Sequence, residues 1–551
     1  VNADGVTNLT GAILNSGLTH NLTFTVTDSA GNTATVALQA LVDVEPPNAV
    51  VFTAAVQNNR SSTVRLNWTE PGDDGDTGLV TGYQVRHSLN AITEENFSAA
   101  TQVPDAINPQ AAGAALQVDV SGLPFDQSIV RMAARAVDDL GNESALEGGS
   151  LVTVNTEWTT HTYTPANRTS YFAWKSCHGD FNNDGRSDLV ITDRGYGAGA
   201  TGAVHVYAGA ANAAAMNVTI IEGSVNGGRF GVSCSTADFN ADGFDDLVVG
   251  AAWEGAGNAY IYNGSANGLG ATPSVSIAGA SGNFGYVVSS FGSVTGDATA
   301  DLVITAYRFG ATAGRAYIFD GDDLSGAMSV ADAVATVDAR DNSKGGIAMV
   351  AGLDVTGDGQ GDVVMGCSIA HNNAGEVLVA AGPFAQNDAV TINSNSVTLL
   401  SNADSPGSTQ LGRYLHVSDL DGDGTHDIVA AFNGGTRRLY LWKGGQALGG
   451  AATVVLAAAV GTEGAIAIME DGGCDLNADG ASELLVASSN YAFIYHGNST
   501  FTSISTQPDL IYDLGLGDRD KVICAGDLNG DSLPETAIVI RGGSGTLQVR
   551  Y

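Results

Sequence analysis

Lysine is nearly missing from this chain. Its 551 residues include 22 basic side chains, four of them lysines, against 59 acidic ones, for a net charge of −37. Nucleic acids and anionic membrane surfaces are gripped by basic faces, so this balance excludes the first as a partner and argues against the second. No run of 18 apolar residues occurs, the length at which a membrane-spanning helix becomes a candidate. Catalytic signatures are missing as well: there is no His-Glu-x-x-His pair, no Gly-x-Ser-x-Gly turn and no phosphate loop. The nine histidines are scattered, and His178 and His426, beside acidic loops, have no nucleophile to serve. An enzyme is not expected. Cysteine is scarce and odd in number, with Cys177, Cys234, Cys367, Cys474 and Cys524. Four of them stand just before acidic loops, on expected inner strands, where cysteine reads as a small buried apolar residue. Cys177 and Cys524 share one offset, three residues before the first and last loops, so a closed ring of repeats would let those two pair.

What the chain has in excess is aspartate, crowded into short loops. "DLDGDGTHDI", residues 419–428, places Asp419, Asp421, Asp423 and Asp427 at positions 1, 3, 5 and 9, with Gly424 at the bend. Two unit charges about 4 Å apart repel by roughly 4 kcal/mol at an effective dielectric near 20, so the spacing calls for a cation inside. Ca²⁺ takes about 6–8 oxygen ligands, and alternating acids with a glycine turn supply them. An EF-hand would put a glutamate at position 12, but Ala430 stands there and a strand-like run follows.

Repeats decide the architecture, and the loop recurs seven times, from Asp180, Asp238, Ser293, Asp354, Asp419, Asp475 and Asp527, at intervals of 58, 55, 61, 65, 56 and 52 residues. The candidate ligands are Asp180, Asn182, Asp184 and Asp188 in the first copy and Asp238, Asn240, Asp242 and Asp246 in the second. The fourth offers Asp354, Thr356, Asp358 and Asp362, and the fifth has the four aspartates above. The sixth supplies Asp475, Asn477, Asp479 and Glu483, and the seventh Asp527, Asn529, Asp531 and Glu535. The third copy keeps only Asp297 and Asp301 as acids and is expected to be weak or empty, which leaves about six calcium sites of this type.

Each loop is preceded by a short apolar stretch and followed by an apolar run such as "DLVVGAA", a glycine turn and an alternating aromatic strand such as "GNAYIYNG". Four short strands per ~55–60 residues match one blade of an all-β propeller. The last copy is one strand short, and "THTYT" (160–164) precedes the first copy without a blade of its own. It is expected to close the ring beside Val549 and Tyr551, which removes an exposed edge.

These copies resemble the FG-GAP repeats of integrin α-subunit propellers and their bacterial relatives. Phe230–Gly231 and Phe284–Gly285 match the first half of that motif, and "VVGAA" around Gly250 approximates the second. The resemblance covers residues 157–551 and implies a seven-bladed β-propeller with Ca²⁺ bracing the loop between the first two strands of a blade. It also implies that ligands meet the opposite face, where the turns carry Tyr196, Trp253, Tyr307, Phe309 and His371, with Asn433 and Asn490 in later blades.

Residues 47–156 resemble a fibronectin type III β-sandwich, with Trp68 as core tryptophan, Tyr83 as its partner and Leu123 beneath a loop. Residues 1–46 look like the last strands of an Ig-like domain, so the protein is expected to continue upstream. The combined expectation is an extracellular or cell-surface adhesion module, secreted and calcium-stabilised, that binds a protein partner or builds a surface assembly. A carbohydrate-binding lectin is the alternative, and a structural cap on a filament a third reading.

Overall fold

Strand follows strand along the chain, because short runs of β-branched and aromatic residues alternate with glycine and asparagine turns. The structure is a computed structural model. It describes residues 18–550 apart from 28–29, 43–44, 58–63, 74–76, 104–106, 121–122, 124–129, 148–149, 155–159, 166, 170, 212–214, 310–312, 340–344, 392–393, 395–396, 401–409, 432–437, 446–447, 449–452, 458–466, 469–472, 477–478, 488–490, 498–509, 514–520 and 541–545. Helical pieces among these residues are single turns, such as Phe97–Ala99 and Ala370–Asn373. None is long and apolar enough to cross a membrane.

The chain divides into two units, Val1–Trp158 and Thr159–Tyr551. The first begins with a hairpin of Leu18–Thr27 and Thr33–Val42. A three-stranded sheet (Phe52–Gln57, Val64–Thr69, Ala115–Val120) and a four-stranded one (Thr101–Gln102, Gly82–Ser88, Val130–Val137, Leu151–Val154) follow. Alternation along Val64–Thr69 buries Val64, Leu66 and Trp68 in one core with Val85, Leu123 and Met132. Trp68 meets Tyr83 edge to face at 5.2 Å, and the Tyr83 hydroxyl donates to the buried Glu70.

The second unit forms seven antiparallel sheets among its described residues, each built on four strands, as in a β-propeller. The first sheet takes Phe172–Gly179, Asp188–Asp193, Ala203–Tyr207 and Val218–Glu222, and the second starts at Ser233–Ala237 and Asp246–Ala251. In both, the second strand is buried at every position, which explains why it reads as a continuous apolar run after its leading aspartate. Two sheets gain a fifth, parallel strand that periodicity does not show. Gly326–Ser329 pairs with Val275–Ala278, and Asp388–Thr391 with Ala335–Asp338, so later segments of the chain cover two outer edges.

Ring closure is visible in three features. Thr160–Tyr163 pairs with Thr546–Arg550, setting His161 opposite Val549; Tyr551 lies outside the described residues. First and last sheets share one core, in which Phe172, Leu189 and Ile191 pack with Ile523, Val539 and Leu547. The third is a backbone bond that recurs between neighbours. The eighth loop residue donates to the first-position carbonyl of the preceding loop, from Asp245 to Asp180 at 3.1 Å, His426 to Asp354 at 2.9 Å and Ser482 to Asp419 at 2.7 Å. Ser187 makes the same bond to Asp527, at 2.7 Å, across the two ends of the repeat array.

The cysteines pair differently from the expectation. Cys177 bonds Cys234 and Cys524 bonds Cys474, across Cα separations of 6.1 and 5.9 Å, while Cys367 is free and buried. Each bridge joins inner segments of consecutive sheets, first to second and sixth to seventh. Between seventh and first, the Lys521 ammonium instead donates to the Trp174 carbonyl at 2.7 Å.

Candidate metal centres

Every acidic loop leaves the end of a first strand and returns as a second strand, and one bonding scheme shapes them. The first-position carboxylate curls the turn by accepting backbone N–H groups from the fifth and sixth positions. Asp180 accepts from Asp184 at 3.1 Å and Gly185 at 2.8 Å, and Asp238, Asp354, Asp419, Asp475 and Asp527 do the same. Asn182, Asn240 and Asn529 accept the fifth-position N–H at 2.9–3.0 Å. The fifth-position acids, Asp184, Asp242, Asp358, Asp423, Asp479 and Asp531, each accept from the seventh N–H. Asn477 lies outside the described residues.

The ninth position does more than offer an oxygen. Asp188, Asp246, Asp301, Asp362, Asp427, Glu483 and Glu535 are all at most 3 % exposed. In the first five loops one oxygen accepts the second-position N–H and the other accepts a glycine N–H at the exit of the third strand, at 2.7–3.2 Å. A single carboxylate thus ties the loop to the second and third strands. Burial, the dominant cause, pushes Asp188, Asp362 and Asp427 up to about 6 and Asp246 and Glu483 up to about 7, because desolvation disfavours the charged form.

Three carboxylates converge to within 4.8 Å in three loops: Asp419, Asp421 and Asp427; Asp527, Asp531 and Glu535; and Asp297, Asp301 and Asp320. In the first, second and fourth loops no such trio forms among the described residues. The fifth loop supplies the test of fit. Asp421 is 5 % exposed and its Oδ1 is buried without a hydrogen-bond partner. An unsatisfied buried carboxylate oxygen beside two further acids suits a hard divalent cation, which would share the loop with the Lys443 ammonium on the other Asp421 oxygen and pin the two strands.

Sequence reading missed one position, the residue just before the strand-exit glycine. There Asp320 completes the third loop's trio, Lys443 bonds Asp421, and His496 bonds Glu483 at 2.8 Å. The signal was present, since "DG", "KG" and "HG" close the same strand in the third, fifth and sixth repeats. On the opposite face, Trp253, Tyr307 and Phe309 are half-buried. Tyr196 turns inward against His205, and His371 pairs with Glu376 at 2.9 Å. Asn433 and Asn490 lie outside the described residues.

Family models match the same region. The FG-GAP repeat model matches residues 172–207 and 230–262, and an FG-GAP-like repeat model matches 475–538. The chain carries FG-GAP repeats, and their relatives include integrin α-subunits. It is similar to integrin alpha-8 of Gallus gallus, 24 % identical over 44 % of this chain and 24 % of that protein. Integrin alpha-7 of Mus musculus is 35 % identical over 25 % of this chain and 12 % of its own length. Phosphatidylinositol-glycan-specific phospholipase D of Bos taurus is 33 % identical over 26 % of this chain and 20 % of its own length. The chain thus spans about a quarter or less of these relatives. A solved structure, Sqt1 of Chaetomium thermophilum, aligns at a TM-score of 0.36 and 11 % identity over 77 % of this chain and 91 % of that one, too distant to carry an argument.

The two halves of the FG-GAP motif interlock between neighbouring sheets. Gly285 has φ +82°, and a Cβ on Gly250 would stand 2.0 Å from the Gly285 carbonyl oxygen. Later repeats lose the letters but keep the contact: a Cβ on Gly366 would meet the Gly412 carbonyl oxygen at 1.8 Å.

Proposed function

We propose that residues 157–551 form a calcium-stabilised, seven-bladed recognition head. It follows a fibronectin III-like sandwich at 47–156 and the end of an Ig-like domain at 1–46, and the whole acts outside the cell as an adhesion module. The observation that carries this is the loop scheme shared by the first five copies, in which a buried ninth-position carboxylate ties three elements of a sheet and a cation would balance its charge. Similarity to integrin α-subunits and two disulfides support an extracellular place. The head binds a protein partner or cell-surface glycan and is not an enzyme. The test is attachment of cells to a surface coated with the protein, in calcium and in EDTA. Attachment that needs calcium supports the reading. No attachment to calcium-loaded, folded protein would count against it, and binding to one sugar class on a glycan array would convert it to a lectin.

A further inference from the structure

Positive charge is scarce here, yet at the strand ends remote from the acidic loops arginines gather on aromatic rings. Arg194, which follows Asp188–Asp193, is 9 % exposed and sets its guanidinium 3.4 Å from the Trp174 ring, with Tyr171 at 4.6 Å. Arg229 and Arg194 both face Trp253, at 4.8 and 5.7 Å. The rings continue into the third sheet, from Trp253 to Tyr286 at 5.8 Å and from Tyr286 to Tyr307 at 4.2 Å, where Arg308 stands 6.0 Å from the Tyr307 ring. Arg413, 6.0 Å from the Tyr414 ring, extends the cluster to the fifth sheet and lies close enough to Tyr286 to act on it electrostatically.

Three of these guanidinium groups, of Arg229, Arg308 and Arg413, have no carboxylate partner among the described residues. Among the described residues those of Arg229 and Arg308 make no hydrogen bond or ion pair, and Arg413 reaches only Gln410 Oε1, at 2.9 Å. Elsewhere Arg135 takes Glu94 and Glu143, and Arg315 takes Asp338. The neighbouring Glu254 is engaged by the Tyr260 hydroxyl at 2.6 Å. The acidic loops are a strand away, roughly 20 Å, well beyond the ~8 Å screening length at physiological ionic strength. The unpaired guanidinium groups of Arg229 and Arg308 therefore stand apart from the acidic loops of a strongly acidic molecule.

We infer that this arginine–aromatic surface receives an acidic, carboxylate-rich segment of a partner protein. Guanidinium groups hold carboxylates bidentately, and arginine, tryptophan and tyrosine dominate the centres of protein interfaces. The assignment rests on the recognition reading above and names the chemistry of its partner.

The test uses the full chain in calcium and a fluorescein-labelled oligoglutamate peptide, read by anisotropy at 0.15 M salt. Saturable binding is expected. It should weaken roughly tenfold in exposed Arg308→Glu and also in Arg229→Gln, and remain unchanged in Arg131→Glu, which makes the same change of net charge in the other unit. Melting curves in calcium check that each variant is folded. No binding, or equal binding by wild type and Arg308→Glu, would overturn the inference. Preference for hyaluronate, a carboxylated sugar chain, would overturn the protein-segment assignment. Failure of the peptide with calcium-dependent cell attachment intact would leave the recognition reading standing; loss of attachment as well would remove both.

Discussion

Asp246 carries a conflict that a bound cation would resolve. Its carboxylate is 0 % exposed and accepts N–H groups from Phe239 and Gly264, while burial raises its pKa to about 7. Asp246→Asn would keep one acceptor and turn an amide NH₂ against the other N–H, leaving a buried donor unpaired. The expected cost is about 2–4 kcal/mol in urea unfolding, with one calcium fewer bound by isothermal titration. An unchanged calcium count would show that this aspartate is only a strut. Lys443 poses the opposite case, a tethered cation that bonds Asp421 and stands 3.8 Å from Asp423. Its pKa is raised chiefly by the hydrogen bond to Asp421. Lys443→Met should free the fifth loop, so calcium titration should show one site binding several-fold tighter, with no change in the number of sites.

Among elements, the contact between sheets is set by glycine. Gly250→Ala would drive a methyl group into the Gly285 carbonyl at 2.0 Å, where neither backbone can retreat without opening a sheet. A loss of about 3 kcal/mol or more in the second unit is expected, read as a lower midpoint of its denaturant transition. The seven loops and their phase were legible because acids at alternate positions before an apolar run have few other uses in a chain, and ring closure by residues 160–163 followed from counting strands. The fifth strands at Gly326–Ser329 and Asp388–Thr391 were not legible, since an edge strand paired on one side needs no strong pattern. The disulfides were misread for a related reason: equal offset from a loop says where a cysteine lies along its own strand, not which neighbouring sheet its side chain faces. Asp320 and Lys443 were overlooked because they stand some twenty residues after the loops they serve, brought back by the third strand.

At the scale of the whole molecule, the proposed calcium ions would compete with protons for the same buried charge. With calcium removed, Asp188, Asp246, Asp362, Asp427 and Glu483 have folded pKa values raised by burial, to about 6 or 7. Their protonated forms therefore favour the fold. That stability is fully present below the unfolded carboxylate value near 4 and is lost as pH rises through about 6 to 7. His205 works in the other direction. Burial pushes its pKa down to about 4, and both ring nitrogens lack a hydrogen-bond partner among the described residues. Its neutral form is favoured by the fold, so its contribution falls away as pH drops from about 6.5 to 4. In EDTA the second unit should melt at its highest temperature near pH 5–6 and lose several degrees by pH 8. In calcium the carboxylates stay ionised, the neutral-pH loss should vanish, and stability should fall on acidification as protons displace the ion. Differential scanning calorimetry across pH 5–8, with and without EDTA, checks both trends, and the transition of residues 47–156 serves as internal control because it should not respond to chelation. A melting curve of the second unit that EDTA leaves unmoved at pH 8 would mean that these loops stand without a cation.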